Sequence, residues 1–583
     1  MKVQALDRPF DPALGQTVNQ IDWNMRSFWS PQYDRARHAI LFRGDESNDE
    51  AFNIYSLSLD SGAVTRLTQA PYVNTAELSP DGTRLAYVAR YSEGGRLRAE
   101  LRLRDMDSGE DRLMLADSPE YRLTWGRLLW GGDNRHILAP INLNDDRNRA
   151  NLAWIDLDAP RLRPLLDTER HRSTVGALEG WLDNQTCLVV SNESGYMQIG
   201  RCDVTDGRWM PLTDQPYDLR SAQTMKTEHG LLVAIVLDRP QDSPMRVVDS
   251  RTGEVLWEHT AEGSVYLLHS GEGTLYGAST SLDEKWALWR LTAGEVGVAW
   301  EKVASVPAPI SAATSHAQVE RITYPTFDIN PKTNQMREIQ AFLLVPKNLP
   351  EVSERRAFVQ AFYGGANTYN QNYQILAQAG FIVLSPAVRG SFGFGRDFYA
   401  LIDKDLGGHE IIDLIYGARF LQERFGLKAE QIGVFGGSHG GYATLRALTF
   451  PERVNGRAEH FDWGFGWAHA GFYNIMTFWR DCNIPDWVTQ KAGDPMTERD
   501  KLLDRSPLTH AERLQAPVYL THGDRDNRVP VNESRVLAAR LEELNKIFRY
   551  DEFAGHGHPL KGSAAQIRLW RGLLAFLEQT ATT

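Results

Sequence analysis

Cysteine is scarce in this sequence. Three residues, Cys187, Cys202 and Cys482, are too few and too scattered among 583 to form a disulfide framework. No run of about 18 apolar residues occurs, which excludes a membrane-spanning helix and argues against a membrane partner. The first residues, Met1 to Arg8, lack the apolar core of a signal peptide. Together these absences predict a cytoplasmic location. Positive charge is also short: 63 Lys and Arg stand against 75 Asp and Glu, a formal net charge of −12. Nucleic acid is therefore excluded as a main partner, because phosphate binding needs a basic face. What the sequence does have is 42 % apolar residues, enough for packed cores, and a length that calls for at least two domains.

The most informative segment is Gly436-Gly437-Ser438-His439-Gly440-Gly441. An apolar strand-like run, Gln431 to Phe435, precedes it, and a helix-like run, Tyr442 to Leu448, follows. A serine within G-x-S-x-G between strand and helix is the nucleophile elbow of α/β-hydrolases. The glycines are needed because side chains would clash in so tight a turn. Ser438 is thereby held strained, with its hydroxyl exposed above the sheet. A Gly-rich loop whose serine only solvates a turn is the plainer alternative.

A serine nucleophile needs a base and a group to orient it, placed later in the chain with the acid first. The apolar strand Ala516 to Thr521 ends in His522-Gly523-Asp524-Arg525-Asp526-Asn527-Arg528-Val529-Pro530. Further on, Tyr550 to Phe553 leads into Ala554-Gly555-His556-Gly557-His558-Pro559. Asp524 and Asp526 both sit where an orienting acid belongs, and His556 and His558 both sit in a loop able to reach the serine. One oxyanion donor is expected from the backbone N–H of His439, the residue after the nucleophile. The second is expected from the loop after the strand Ala357 to Phe362, which opens into Tyr363-Gly364-Gly365-Ala366.

These motifs resemble the prolyl oligopeptidase family of serine peptidases (S9), in its acylaminoacyl-peptidase-like branch. That family pairs G-G-S-[HY]-G-G with H-G-x-x-D-x-x-V-P and G-H-G. Further landmarks follow in order: Arg389 to Gly395, Gly493-Asp494-Pro495 and Ser506-Pro507. The resemblance runs from about Tyr324 to the C-terminus and selects Asp526 over Asp524 and His556 over His558. The implied triad is Ser438, Asp526 and His556. Where many members carry H-G-G-P, this chain has Tyr363 and Ala366, and related branches use a tyrosine hydroxyl as oxyanion donor. The resemblance thus implies Tyr363 for the second donor, against a reading in which Tyr363 only packs beneath the site.

The first half has a different texture. Turns recur at Asp60-Ser61-Gly62, Asp107-Ser108-Gly109, Asp156-Leu157-Asp158, Thr205-Asp206-Gly207, Arg251-Thr252-Gly253 and Thr292-Ala293-Gly294. The interval is roughly 41 to 49 residues, the size of a four-stranded propeller blade. With an incomplete unit at the N-terminus this predicts about seven blades over residues 20–310. A β-sandwich array is the alternative, but the family resemblance implies a propeller capping a hydrolase. Small residues and prolines at 303–318 suit a linker. Beyond it, strands (Ile339 to Val345, Phe381 to Leu384) alternate with helical patterns (Ile411 to Glu423, Glu533 to Leu544, Ile567 to Leu577). Such alternation predicts an α/β-hydrolase domain over 311–583, a doubly wound and mostly parallel sheet. By family analogy, residues 1–19 form an arm packed on that domain.

Other motifs are set aside. His409-Glu410-Ile411-Ile412-Asp413 lacks the second histidine of a zinc protease and reads as a helix start. Neither that segment nor the His556/His558 pair predicts a metal, and Gly390 to Gly395 lacks dinucleotide spacing, so no cofactor is expected. The stretch Phe461 to Trp487 is dense in aromatics, of which Trp463, Trp467, Phe472, Phe478 and Trp479 are candidates for an apolar substrate pocket, with ordinary core as the plainer reading. Arg528 is a candidate for binding a substrate carbonyl or carboxylate, or for pairing with a propeller acid. The expected activity is hydrolysis of short peptides through an acyl-enzyme, with release of an N-acylated residue favoured by the resemblance. Another oligopeptidase or aminopeptidase, an esterase or amidase acting on a peptide-like molecule, and a non-catalytic peptide-binding propeller are the alternatives. A homo-oligomer is left open.

Overall fold

The computed structural model describes residues 2–3, 16–17 and 31–581, apart from 125, 145, 167–177, 229, 272, 295–296 and 308–312. Between residues 32 and 305, six antiparallel sheets succeed one another, five of four strands and one of five. Each four-stranded sheet is a meander of neighbouring strands, as in the first: Gln32–Asp34, Ala39–Gly44, Asn53–Ser58 and Val64–Arg66. This is a six-bladed propeller, not the seven blades expected. The correction comes from the turns. Gly62, Gly109, Gly207 and Gly253 take φ of 71°, 75°, 75° and 78°. Each lies between the third and fourth strands of its blade. An aspartate four residues before the later three glycines, Asp105, Asp203 or Asp249, accepts turn amides. Each recurring turn therefore closes one blade. Asp60-Ser61-Gly62 already closes a complete blade that begins at Gln32, so the expected incomplete N-terminal unit and the unit ending at this turn are one blade. Within the expected arm, Lys2–Val3 pairs with Gln16–Thr17; its packing on the hydrolase domain lies outside the described residues.

The second domain is built on one eight-stranded sheet. Its strands are β1 (Ala317–Asn330), β2 (Gln335–Pro346), β3 (Arg356–Gln360), β4 (Phe381–Pro386), β5 (Ile432–Gly437), β6 (Phe465–His469), β7 (Val518–Gly523) and β8 (Phe548–Phe553). The order is β1-β2-β4-β3-β5-β6-β7-β8. β1–β2 and β2–β4 pair antiparallel, and every later pair is parallel.

Alternation along the strands feeds two cores. Ile382 and Leu384 of β4 and Val434 of β5 face one side, with helices α2 (His409–Phe425), α3 (His439–Leu448) and α7 (Asn532–Glu543). Val383 and Phe435 face the other side, with α1 (Gln371–Gln378) and α8 (Ser563–Ala581). Between β6 and β7 lie α4 (Ile475–Asp481), α5 (Pro485–Lys491) and α6 (Arg499–Asp504). No helix among the described residues is long and apolar enough to cross a membrane.

The propeller sits over the C-terminal ends of the parallel strands, where open α/β sheets hold their sites. A first-blade loop, residues 45–50, reaches both the β7–α7 and β8–α8 loops. Arg525 Nη1 donates to Ser47 O at 2.9 Å, Asn527 Nδ2 to Asp49 O at 2.6 Å, and Asn48 Nδ2 to Gly555 O at 3.1 Å.

Candidate active site

β5 runs into α3 through Ser438, whose φ of 58° and ψ of −120° lie in a region that a side chain rarely adopts. Two glycines show why the turn admits no side chains. A Cβ on Gly440 would lie 2.5 Å from Phe362 O, and one on Gly441 2.7 Å from His469 O. The turn is pinned to β6 by Ser438 N donating to His469 O at 2.8 Å. The Ser438 hydroxyl does not cap α3 and is left for other chemistry. His439 opens α3, where the first N–H groups have no intrahelical acceptor. Its amide is therefore available beside Ser438. Its ring is 2 % exposed, and burial together with Lys491 pushes the imidazole down to about 3, so it stays neutral.

Asp526 follows β7 and is buried. Its Oδ1 accepts from the amides of Arg528 at 2.8 Å and Val529 at 2.9 Å. Its Oδ2 meets His522 Nε2 at 3.1 Å and His558 Nδ1 at 2.7 Å. Burial alone would raise this carboxyl, but His558 and His522 hold it well below the usual carboxylate range. His522 is the fully buried histidine of the β7 motif. Its Nε2–H is shared between Asp526 and Val529 O at 2.9 Å, and its Nδ1 accepts from the Ser534 hydroxyl at 2.8 Å. Asp524 serves the neighbouring loop instead, accepting from Gly555 N at 2.7 Å.

The histidine that meets the acid is thus His558, not the expected His556. The reason is the path of the β8–α8 loop. Arg525 N donates to His556 O at 2.9 Å, and the His556 ring lies edge-on to Phe553 at 6.4 Å. Two residues on, the loop has turned inward and presents His558 to Asp526. A carboxylate only accepts, so Nδ1 of His558 donates, and in the neutral ring this leaves Nε2 as the acceptor that a general base needs.

Tyr363 follows β3 and packs edge-on to Phe362 at 4.7 Å. It lies 5.9 Å from the His439 ring, centre to centre, and stacks on exposed Phe392 at 6.2 Å. The residue is 48 % exposed. Desolvation, with Tyr399 and against Arg528, raises the phenol above its ordinary value. It therefore remains a hydrogen-bond donor at neutral pH. Arg528 pairs with the propeller acid Glu50, with Nε and Nη2 each 3.3 Å from Oε2, so of its two expected partners the structure supplies the propeller one. Burial opposes the Arg528 charge, but Glu50 and Tyr72 more than offset it.

The candidate pocket aromatics divide. Trp463, Phe472 and Phe478 are buried in the main core; Phe472 stacks on Tyr442 at 4.5 Å and on Phe478 at 4.1 Å. They belong to packing, a correction to their candidacy as pocket lining. Trp479 packs against the propeller hairpin at Gly95, where a Cβ would lie 2.5 Å from its ring. Trp467 stacks on Phe435 at 5.7 Å and joins Gly436, Gly437, His469 and Gln360 around a cavity of about 260 Å³. A second cavity, about 270 Å³, lies between the domains and is lined by Glu50, Tyr72, Arg90, Asp481, Cys482 and Asn527. Its position beside the Asp526 loop was not readable from sequence, because it is assembled from segments hundreds of residues apart.

The match to the prolyl oligopeptidase family covers residues 367–583, from the end of the Tyr363 loop through the serine, acid and histidine loops. Dipeptidyl aminopeptidase BIII of Pseudoxanthomonas mexicana is 24 % identical over 91 % of this chain and 76 % of its own length. The acylamino-acid-releasing enzyme of Mus musculus is 25 % identical, over 39 % of this chain and 31 % of its own length. A crystal structure of puromycin hydrolase, 16 % identical, superposes with a TM-score of 0.79 over 98 % of this chain and 89 % of that one, and so shares the whole two-domain fold. With a propeller over an α/β-hydrolase sheet, a strained serine at the elbow and a buried acid holding a histidine, the chain carries the parts of a serine peptidase, and its residues 367–583 match the prolyl oligopeptidase family.

Proposed function

We propose that this enzyme cleaves short peptides near their N-terminus through an acyl-enzyme, in the manner of acylaminoacyl peptidases, with Ser438, His558 and Asp526 as its triad. The observation that carries this reading is the 2.7 Å contact of His558 Nδ1 with buried Asp526, on the loop facing the elbow. His558 Nε2 takes the Ser438 proton as Oγ attacks the scissile carbonyl, and Asp526 stabilises the imidazolium that forms. The His439 N–H and the Tyr363 hydroxyl receive the developing oxyanion. His558 then protonates the leaving amine, and water, activated by the same histidine, releases the acyl group. The propeller restricts entry to short or unstructured chains. The three free, buried cysteines support a reducing compartment, the cytoplasm.

A dipeptidyl aminopeptidase is the second reading, favoured by the relative of that name aligning over 91 % of the chain. Wild type and Ser438→Ala assayed on N-acetylated, free-amine and internally quenched peptides and on a p-nitrophenyl ester separate these readings. Serine-dependent release from the acetylated peptides is expected. Preference for free amines moves the assignment to the second reading, internal cleavage alone to an endopeptidase, and ester cleavage alone to an esterase.

A further inference from the structure

His469 ends β6 beside the elbow and belongs to none of the motifs above. Its two ring nitrogens are both engaged: Nε2 lies 3.1 Å from the backbone carbonyl of His558, and Nδ1 lies 3.1 Å from Thr521 Oγ1. A carbonyl only accepts, so Nε2 carries the proton and Nδ1 accepts from the Thr521 hydroxyl. Thr521 Oγ1 in turn lies 3.3 Å from Trp467 Nε1, which only donates. The directions of all three bonds are thereby set, and they run from β6 through β7 to the His558 loop. The same residue also grips the nucleophile, because its own carbonyl receives the Ser438 N–H at 2.8 Å. Its ring lies 3.6 Å from where a Cβ on Gly437 would stand. Burial, with His522 and His558 nearby, pushes the imidazole down to about 4, so this donor pattern holds at neutral pH.

We infer that His469 is a positioning residue, one side chain that fixes the distance between the Ser438 turn and the loop bearing His558. This rests on reading Ser438, Asp526 and His558 as the catalytic group. His558 is attached to the acid loop through its ring and to β6 through its carbonyl, so the residue has two anchors on two elements. Without the second anchor, His558 is tied to the domain through its ring, while the loop around it stays held by Asp524 and Asn48 at Gly555, by Arg525 at His556 and by Gln566 at Leu560. Misplacement of a reacting group by about 1 Å costs on the order of a hundredfold in rate.

The test is the rate at which a fluorophosphonate labels Ser438, with Ser438→Ala as blank, in wild type and in His469→Leu, His469→Asn and His469→Gln. Glutamine retains an N–H at a reach close to that of Nε2; asparagine is too short, and leucine has no donor. Leu and Asn are expected to slow labelling by about tenfold or more, and Gln to restore it to within about threefold of wild type. On p-nitrophenyl acetate the loss should fall on kcat, with KM moved by less than about twofold. A purely packing role would spare none of the three variants selectively. Wild-type labelling by Leu and Asn, or Gln as slow as Leu, overturns the inference. Should Leu fail to fold, the Asn and Gln pair decides alone. Absence of Ser438-dependent labelling in the wild type overturns the triad reading and this inference together, whereas normal wild-type labelling with insensitive variants overturns only this one.

Discussion

At the scale of single residues, two buried histidines are kept neutral, His439 near 3 and His469 near 4, both chiefly by burial. In an unfolded chain each would titrate near 6.5. As pH falls from about 6.5 to 4 the unfolded state therefore binds more protons than the folded one, so stability declines across that window. Above 6.5 neither group affects the slope. His469 removes on the order of 3 kcal/mol by the time pH has reached 4, and His439 on the order of 5 kcal/mol by pH 3. Urea midpoints measured between pH 7 and 4.5 should fall less steeply for His469→Gln than for wild type; parallel slopes would show that His469 is not charged on unfolding. A second residue-scale expectation concerns Tyr363. Tyr363→Phe should lower kcat by about a hundredfold with KM little changed, since one oxyanion donor is worth about 3 kcal/mol of barrier. Unchanged kcat would remove the hydroxyl from that role.

At the scale of elements, the sequence made the strands and helices legible wherever side chains alternate cleanly. β5 and α3 were readable around Ser438 because an apolar run meets a cluster of glycines and then a helical pattern. The structure extends α3 back to His439, since the glycines at 440 and 441 are used for close approach rather than to break the helix. The blade count was not legible, because a turn motif marks the end of a unit and says nothing about where the first begins. Nor was the choice between His556 and His558. Both sit in one glycine-rich loop, and which ring turns inward depends on contacts to Arg525 and to Asn48, the latter 507 residues from its Gly555 partner. Close packing at this turn gives an element-scale prediction. Gly440→Ala places a methyl 2.5 Å from Phe362 O and must displace the loop that carries Tyr363. Stability should fall by about 1–3 kcal/mol and kcat on the ester by more than tenfold. A variant with normal turnover would show that the turn and the Tyr363 loop move independently.

At the scale of the whole molecule, the propeller is built into the site as well as covering it. Residues 45–50 contact the acid loop and the histidine loop at once, and the Glu50–Arg528 pair lies at the centre of that contact. Aromatic density drew attention to Phe461–Trp487, yet burial assigns Trp463, Phe472 and Phe478 to the core, because composition does not distinguish a pocket wall from packing. Conversely, Arg528 stood out in the sequence as a partner for a propeller acid, but nothing there marks Glu50, 478 residues away, as that acid. Removing one partner of a buried pair leaves the other charge uncompensated, so Glu50→Ala should destabilise the chain by about 3–5 kcal/mol. It should also loosen the Asp526 loop, read as a drop in both thermal midpoint and kcat. A stable Glu50→Ala with full activity would mean that domain docking rests on the surrounding backbone contacts instead.

The central claim is that His558, held by Asp526, is the base for Ser438. The direct measurement is turnover of an N-acetylated alanine p-nitroanilide by His558→Ala and His556→Ala side by side, with folding checked by thermal midpoint. The account predicts a loss of about 10⁴-fold or more for His558→Ala and activity within about tenfold of wild type for His556→Ala. Inactive His556→Ala beside active His558→Ala would contradict it.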